Sequence, residues 1–392
     1  MVLLLPTSTY RAADFIAAAR SLGAEVVVAS DRLSPAASTE GVRAVELPFD
    51  DPDRAAALLA NLDDRGPVDA VIAVDDQGVV TAARAGHLLG LPHNPPEAAS
   101  RTRDKRDLRA ALGAAEVPQP RWATIDDLDD LPDLGFPCVV KPARLSGSQG
   151  VIRADDATAA RAAARRASAI ACDGPLLVEE YVPGFEIAVE GLMRDGALDV
   201  LAVFDKPDPL DGPYFEETIY VTPSRCTDEV LSRCTRVTAD AAVALGLREG
   251  PVHAELRIDG DRVWVIDVAA RSIGGLCART LRFGAGISLE EVILRHALDL
   301  PLDDLRREAA ASGVMMLPIP RSGTLRAVHG QDRARATPGI VGLEIAINPG
   351  RPVVALPEGD RYLGFLFARS ATPAAVEAAL RAAHAELEIV IE

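Results

Sequence analysis

The stretch Cys138-Val-Val-Lys-Pro-Ala-Arg-Leu-Ser-Gly-Ser-Gln-Gly-Val151 constrains this chain more than any other part of it. An apolar run ends in Lys141-Pro142, and a loop rich in Gly and Ser follows. Gly147 and Gly150 let the backbone fold back with its N–H groups aimed inward. Ser146 and Ser148 add hydroxyl donors, and Lys141 adds a fixed positive charge at the strand end. A loop of this kind cradles phosphate oxygens. It is not a Walker A loop, because no Gly-Lys-Ser/Thr follows, and it is not G-x-G-x-x-G. A tight hairpin turn with a solvated lysine has the same local sequence, so the decision rests on residues downstream.

At 392 residues the chain is too long for one ordinary core, and two or three subdomains are expected. No uninterrupted apolar run approaches the ~18–20 residues of a membrane span. The opening Met-Val-Leu-Leu-Leu-Pro lacks a basic segment and reaches Pro6 at once, which reads as a buried strand and not a signal peptide. A net charge of −17 with no basic block argues against a nucleic-acid partner. It leaves room for a nucleotide ligand in a local positive pocket. The cysteines (Cys138, Cys172, Cys226, Cys234, Cys277) are odd in number and form no C-x-x-C pair, as expected of a reduced cytoplasmic chain without zinc.

Taken in order, residues 2–6, 25–30 and 71–74 read as short apolar strands, with helices at 11–22 and up to Leu89. Strands alternating with helices predict a parallel sheet, and the loops Pro6 to Thr9 and Asp75 to Gly78 lie where a ligand would meet it. Pro92, Pro95 and Pro96 mark a boundary near residue 95. Glu97 to Leu112 has helical spacing and puts Lys105 and Arg109 on one face. A strand around Trp122 follows, and Ala157 to Ile170 reads as an Ala/Arg-rich helix with no visible chemistry. In Leu176-Leu-Val-Glu-Glu-Tyr-Val-Pro-Gly-Phe-Glu186 a strand meets two acids, bends at Pro183-Gly184 and restarts. Such a hinge offers backbone groups to the edge of a flat base, Glu179 to an exocyclic amine, and Glu186 to sugar hydroxyls. An edge hairpin with solvated glutamates is the structural alternative.

Residues 250–271 form two alternating strands around Asp259-Gly260-Asp261, a strong hairpin signal. A three-residue loop would pair Ile258 with Arg262 and make Glu255 and Asp267 diagonal neighbours on one face, close enough to share a cation. A two-residue loop would put them on opposite faces. Asp267 interrupts an apolar run and needs a partner, because an unpaired buried carboxylate costs several kcal/mol. Mg²⁺ held by two carboxylates and phosphate oxygens is one solution, and Arg271 is the other.

Taken together these strings resemble the ATP-grasp superfamily over about residues 97 to 300. Asp104-Lys105, Val140-Lys141-Pro142 with Ser146 to Gly150, Glu179-Glu-Tyr-Val with Gly184 and Glu186, and Glu255 and Asp267 with Arg271 occur in the family's order. The end of the chain, Tyr362-Leu-Gly-Phe-Leu-Phe-Ala-Arg and an Ala-rich helix, resembles the carboxylate–amine ligase branch that includes L-amino acid ligases. The resemblance implies an α/β fold, α+β in its ATP-grasp part. Residues 1–95 would be the N-terminal parallel α/β domain, 96–180 the small lobe and linker helix, and 181–392 the large lobe with the C-terminal segment. Nucleotide would sit between two antiparallel sheets, and a homodimer is the family's habit.

By the same resemblance Lys105 and Lys141 bind the ATP phosphates, and Ser146, Ser148 and Gly150 close over the γ-phosphate. Glu179 with the backbone of Glu180, Tyr181 and Val182 reads adenine, and Glu186 takes the ribose. Glu255 and Asp267 hold Mg²⁺, Arg271 with Gly274 and Gly275 sits where an acyl phosphate forms, and Glu217 faces a substrate amine. The family's metal strand usually reads acid-x-Asn-Pro-Arg, whereas this one is Asp267-Val-Ala269-Ala270-Arg271, so the second Mg²⁺ lacks a ligand. The function implied is an ATP-dependent ligase joining a carboxylate to an amine, with amino acids as substrates, releasing ADP and phosphate. The alternatives are a carboxyphosphate-forming or purine-synthesis relative, and a nucleotide-binding regulatory protein without turnover, motivated by Ala269.

Overall fold

The computed structural model describes residues 1–32, 43–62 and 66–392. Strands β1 (Val2–Leu4), β2 (Val27–Ser30), β3 (Arg43–Glu46) and β4 (Val71–Ala73) pair in parallel in the order β3-β2-β1-β4. Val2, Leu3 and Leu4 are fully buried, as a run covered on both faces requires. Strand β3 and the helix Pro52–Ala60 add to the expected elements. That helix starts with proline in its first turn and with Asp51 accepting from the Arg54 N–H.

The helix expected over Glu97 to Leu112 is two helices, Pro96–Arg101 and Lys105–Ala114. Asp104 breaks the run because its carboxylate caps the second helix, accepting from the Arg106 N–H. The break gives Lys105 a free backbone N–H, which donates to Ala143 O at 2.9 Å and ties the helix start to the strand leading into the Gly/Ser loop.

The next sheet is antiparallel, in the order β5-β8-β6-β7: β5 (Trp122–Ile125), β6 (Cys138–Pro142), β7 (Ile152–Ala154) and β8 (Leu176–Glu180). The Ala157–Ile170 helix packs on it through Ala160, Ala163, Ala164 and Ala167, a spacing that makes one narrow apolar face. Small side chains there let the helix lie close to Val140, Ile152 and Val178.

The remaining strands are β9 (Phe185–Arg194), β10 (Ala197–Lys206), β11 (Ile219–Thr222), β12 (Gly250–Asp259), β13 (Arg262–Ala269), β14 (Ala311–Leu317), β15 (Gly323–His329), β16 (Ile340–Ile345), β17 (Pro352–Val353), β18 (Gly364–Ser370) and β19 (Glu388–Ile391). An eight-stranded sheet runs β13-β12-β9-β10-β11-β14-β18-β16, and β17-β15-β19 form a third antiparallel layer. The Pro183-Gly184 bend between β8 and β9 requires glycine: its φ is +99°, and a Cβ there would lie 2.0 Å from Ile258 O.

The hairpin differs from the expected register. Asp259 pairs with Arg262, so the loop is Gly260-Asp261 and holds two residues. Taken alone, that register would send Glu255 and Asp267 to opposite faces. A bulge between Glu255 and Leu256, opposite Ile266, inserts one residue in β13 and reverses the slip. Glu255 and Asp267 are therefore directly opposed, not diagonal.

Candidate functional site

A cleft of about 430 Å³ opens between the β5–β8 sheet, the eight-stranded sheet and the loops after β1 and β4. Its walls bring together Lys105, Lys141, Ser146, Ser148, Glu179, Glu180, Tyr181, Val182, Glu186, Glu217, Glu255, Asp267, Arg271, Gly274 and Gly275. Of the residues to which the resemblance gives a part at the site, Gly150 is the exception and stands behind the wall. Its φ is +72° and a Cβ would meet the Pro142 ring at 2.7 Å, so glycine is what lets the loop fold onto the strand that carries Lys141. Its N–H donates to Pro357 O, and the Gln149 amide donates to Glu358 O.

The two lysines reach the cleft from different segments. Lys141, on β6, is 4% exposed with Nζ 2.8 Å from Glu179 Oε2, and burial pushes its pKa down to about 8 although Glu179 pulls the other way. Lys105 Nζ lies 3.2 Å from Asp267 Oδ2 and donates to Leu145 O. Asp267 thus has a lysine as its ionic partner, while Arg271 points elsewhere.

Glu179 departs from its expected part as a reader of an exocyclic amine. Arg109 donates to both its oxygens, at 2.8 and 3.2 Å, and Lys141 holds Oε2. Burial alone would raise its pKa, yet the two cations hold it at about 2. Arg109 is itself fully buried and also donates to the carbonyls of Val265 and Ile266. It is a strut joining a helix to both sheets, not part of a solvated face. Glu186 is likewise engaged, by Lys206 at 2.7 Å and Arg257 at 3.1 Å. The Tyr181 ring is flanked by Arg153 and Arg257, its N–H donates to Pro137 O, and the residue lies in the cleft wall at the hinge.

At the opposite end Arg271 donates to Asp76 Oδ2 at 3.0 Å. The same carboxylate accepts from Ser146 Oγ at 2.9 Å and pairs with Arg103 at 3.1 Å. Burial opposes its ionisation, but Arg271 and Arg103 hold its carboxyl well below the usual range. Asp76 therefore ties the first domain to the Gly/Ser loop and to Arg271. It lies in the Asp75–Gly78 loop marked by its position after β4; its ion pairs carried no sequence signal.

The floor holds residues that sequence reasoning missed. Lys206 Nζ, from the end of β10, donates to Glu186, Glu217 and Glu255 at 2.7, 2.7 and 2.9 Å. Burial and neighbouring Glu255 push Glu217 up to about 7 although Lys206 opposes this. His253 Nε2 is 3.7 Å from Glu255, and its Nδ1 lies 3.0 Å from the fully buried Glu190. Burial favours the neutral ring, but the two glutamates raise its pKa to about 9. The Asp-Lys dipeptide at 205–206 closes an ordinary alternating strand, so only the pairing of β10 with β9 shows where it points. The Ala157–Ile170 helix also has a part to play: Arg166 reaches Glu358 and Tyr214, fastening the β5–β8 lobe to the segment before β18.

Glu255 and Asp267 oppose each other across the hairpin and offer hard carboxylate oxygens beside two ammonium groups, a donor set that suits Mg²⁺ with phosphate oxygens. Chemically, the cleft can receive a polyanion, hold a flat base at the hinge, and orient a carboxylate at Arg271 with an amine near Glu217.

The chain matches the ATP-grasp N-terminal domain over residues 16–93, an ATP-grasp domain over 134–280, and the L-amino acid ligase C-terminal domain 2 over 315–392. It is 27% identical over 254 residues to alanine–anticapsin ligase of Bacillus subtilis, covering 58% of this chain and 53% of that one. D-Alanine–D-alanine ligase of Granulibacter bethesdensis is 30% identical over 185 residues, 44% of this chain and 58% of the relative. The chain thus spans little more than half the length of these curated relatives. The crystal structure of an L-amino acid ligase from Bacillus licheniformis superposes with a TM-score of 0.83 at 25% identity, covering 100% of this chain and 98% of that one. N5-carboxyaminoimidazole ribonucleotide synthetase of Thermotoga maritima shares the fold, with a TM-score of 0.74 at 18% identity.

Proposed function

Because this chain is an ATP-grasp protein that resembles L-amino acid ligases, we propose that it joins the carboxylate of one amino acid to the amine of another at the expense of ATP. The observation that carries this reading is the convergence of Lys105, Lys141, Glu255, Asp267 and Arg271 on one cleft, with Glu217 in the same wall. An amine cannot displace oxide from a carboxylate, so the carboxylate first attacks the γ-phosphorus of ATP and ADP leaves. The amine then attacks the acyl carbon and phosphate departs.

In this reading Lys141 and Lys105 bind the phosphates, and Arg271 orients the attacking carboxylate and then stabilises the oxyanion that forms when the amine adds to the acyl carbon. The hinge at Glu180–Val182 presents its backbone to adenine, and Glu186 faces the ribose. Glu217 accepts the hydrogen bonds of the incoming amine. Glu255 and Asp267 would hold Mg²⁺, whose charge would offset that of the phosphates. Ser146 to Gly150, fastened to Asp76 on one side and to Pro357 and Glu358 on the other, excludes the water that would hydrolyse the acyl phosphate. The amino-acid pocket is walled by Tyr10, Tyr220, Cys277, Met316 and Tyr362, which favours apolar side chains.

A phosphate-release screen of amino acids in pairs, with mass spectrometry of the products, tests the reading. Release that requires a particular amino acid, together with a dipeptide mass, is the expected outcome. Stimulation by bicarbonate in place of amino acids would transfer the chain to the carboxyphosphate-forming relatives. ATP binding without stimulation by any acid would make it a regulatory protein.

A further inference from the structure

Glu186, Glu217 and Glu255 come from β9, from the segment before β11 and from β12, and their carboxylate oxygens lie within 4.8 Å of one another. Among the described residues this is the one group of three or more acidic, histidine or cysteine side chains close enough to share a cation. It already contains a cation. Lys206 Nζ lies 2.7, 2.7 and 2.9 Å from the three acids, and its side chain is 3% exposed. An ammonium has three N–H donors, and here each meets one carboxylate, so donor and acceptor numbers match. The Tyr220 ring, 5.0 Å from Nζ, closes the remaining side.

We propose that Lys206 is a positioning residue that stands in the place of a metal ion, locking the ribose-facing, amine-facing and metal-binding acids into one unit. The roles of those three acids rest on the ligase reading above; the place of Lys206 among them rests on geometry alone. The three acids belong to separate segments, and like charges this close would otherwise drive them apart. With the ammonium present their mutual spacing is set before any ligand arrives. A divalent ion is thereby excluded from the three-acid cluster and directed to the pair of Glu255 and Asp267. Ala269, where the family's second-metal asparagine usually stands, fits a site in which one counter-charge is supplied by the chain itself.

The test is Mn²⁺ binding to the full chain without nucleotide, followed by electron paramagnetic resonance, in the wild type and in Lys206→Met, Lys206→Gln and Lys206→Arg. Removal of the ammonium opens the cluster, so the Met and Gln variants are expected to bind one more Mn²⁺ per chain than the wild type. Their KM for both ATP and amine should rise by about tenfold or more, because buried charges lose their partner. Lys206→Arg should keep the wild-type ion count and recover most of both KM values. A folded Met or Gln variant with the wild-type ion count, changed only in melting temperature, would overturn the proposal. Should neither neutral variant fold, an Arg variant that binds an extra ion would overturn it, and one that binds none would uphold it. The ion count requires no turnover, so it stands or falls separately from the ligase reading.

Discussion

At the scale of single residues, burial and pairing decide what each group can do. Lys141 is a buried lysine whose ammonium is disfavoured, so in the empty cleft it loses its proton near pH 8 and not near 10.5. ATP affinity should therefore weaken as pH rises through about 8, and Lys141→Arg, whose guanidinium stays charged, should hold its affinity to higher pH. Calorimetric titration across pH 7 to 9.5 reads both curves; parallel curves for the two proteins would count against Lys141 as the titrating group. The sign for stability is opposite. Between about 8 and 10.5 the unfolded chain binds the proton that the folded chain has lost, so this lysine makes folding more favourable as pH rises through that window. In the proposed reaction Glu217 lies on the amine side. Glu217→Gln should raise the KM of the amine by about tenfold, the ~1.5–3 kcal/mol scale of a hydrogen bond to a charged group, while ATP binding changes little. Equal loss in both would place Glu217 elsewhere.

At the scale of elements, the Gly/Ser loop is a bridge. Its hydroxyl at Ser146 bonds to Asp76, its Gly150 N–H to Pro357 O, and its Gln149 to Glu358 O. Gly150→Ala forces a side chain into Pro142 at positive φ, a strain of roughly 1–3 kcal/mol. Faster amide exchange across residues 145–151 and lower turnover should accompany it. By contrast Glu358→Gln breaks a half-exposed pair with Arg166 worth about 0–1 kcal/mol, and melting temperature should barely move.

The elements also show what the sequence could and could not reveal. The Gly/Ser loop, the bend at Pro183-Gly184 and the Ala157–Ile170 helix are legible because turn residues and periodicity are local signals. The break at Asp104 was hidden, since a side-chain cap inside a helical pattern looks like one more polar position. The hairpin loop holds two residues, and the bulge at Ile266 offsets that register, so the two acids meet by a route that alternation cannot encode. The partners of Lys206, Arg109 and Asp76 are unreadable for a common reason. Each acts on partners from other segments, up to 195 residues away, and no spacing along the chain records that.

At the scale of the whole molecule, three layers meet at one cleft through buried ion pairs and not only through apolar packing. Arg109 bonds to Glu179 on β8 and to the carbonyls of Val265 and Ile266 on β13, so it joins the small and large sheets. Arg109→Met should destabilise the chain by about 3–5 kcal/mol, because it leaves a buried carboxylate short of a partner. Urea unfolding measures it, and a loss under about 1 kcal/mol would mean the sheets are held by other contacts. In the proposed function these layers bring one carboxylate to one γ-phosphate. The most direct measurement supplies the amino acid with ¹⁸O in its carboxylate and follows the label during peptide formation. One ¹⁸O in each inorganic phosphate released is expected, with ADP as the nucleotide product and one dipeptide formed per phosphate. Unlabelled phosphate alongside dipeptide, or label appearing in AMP, would contradict it.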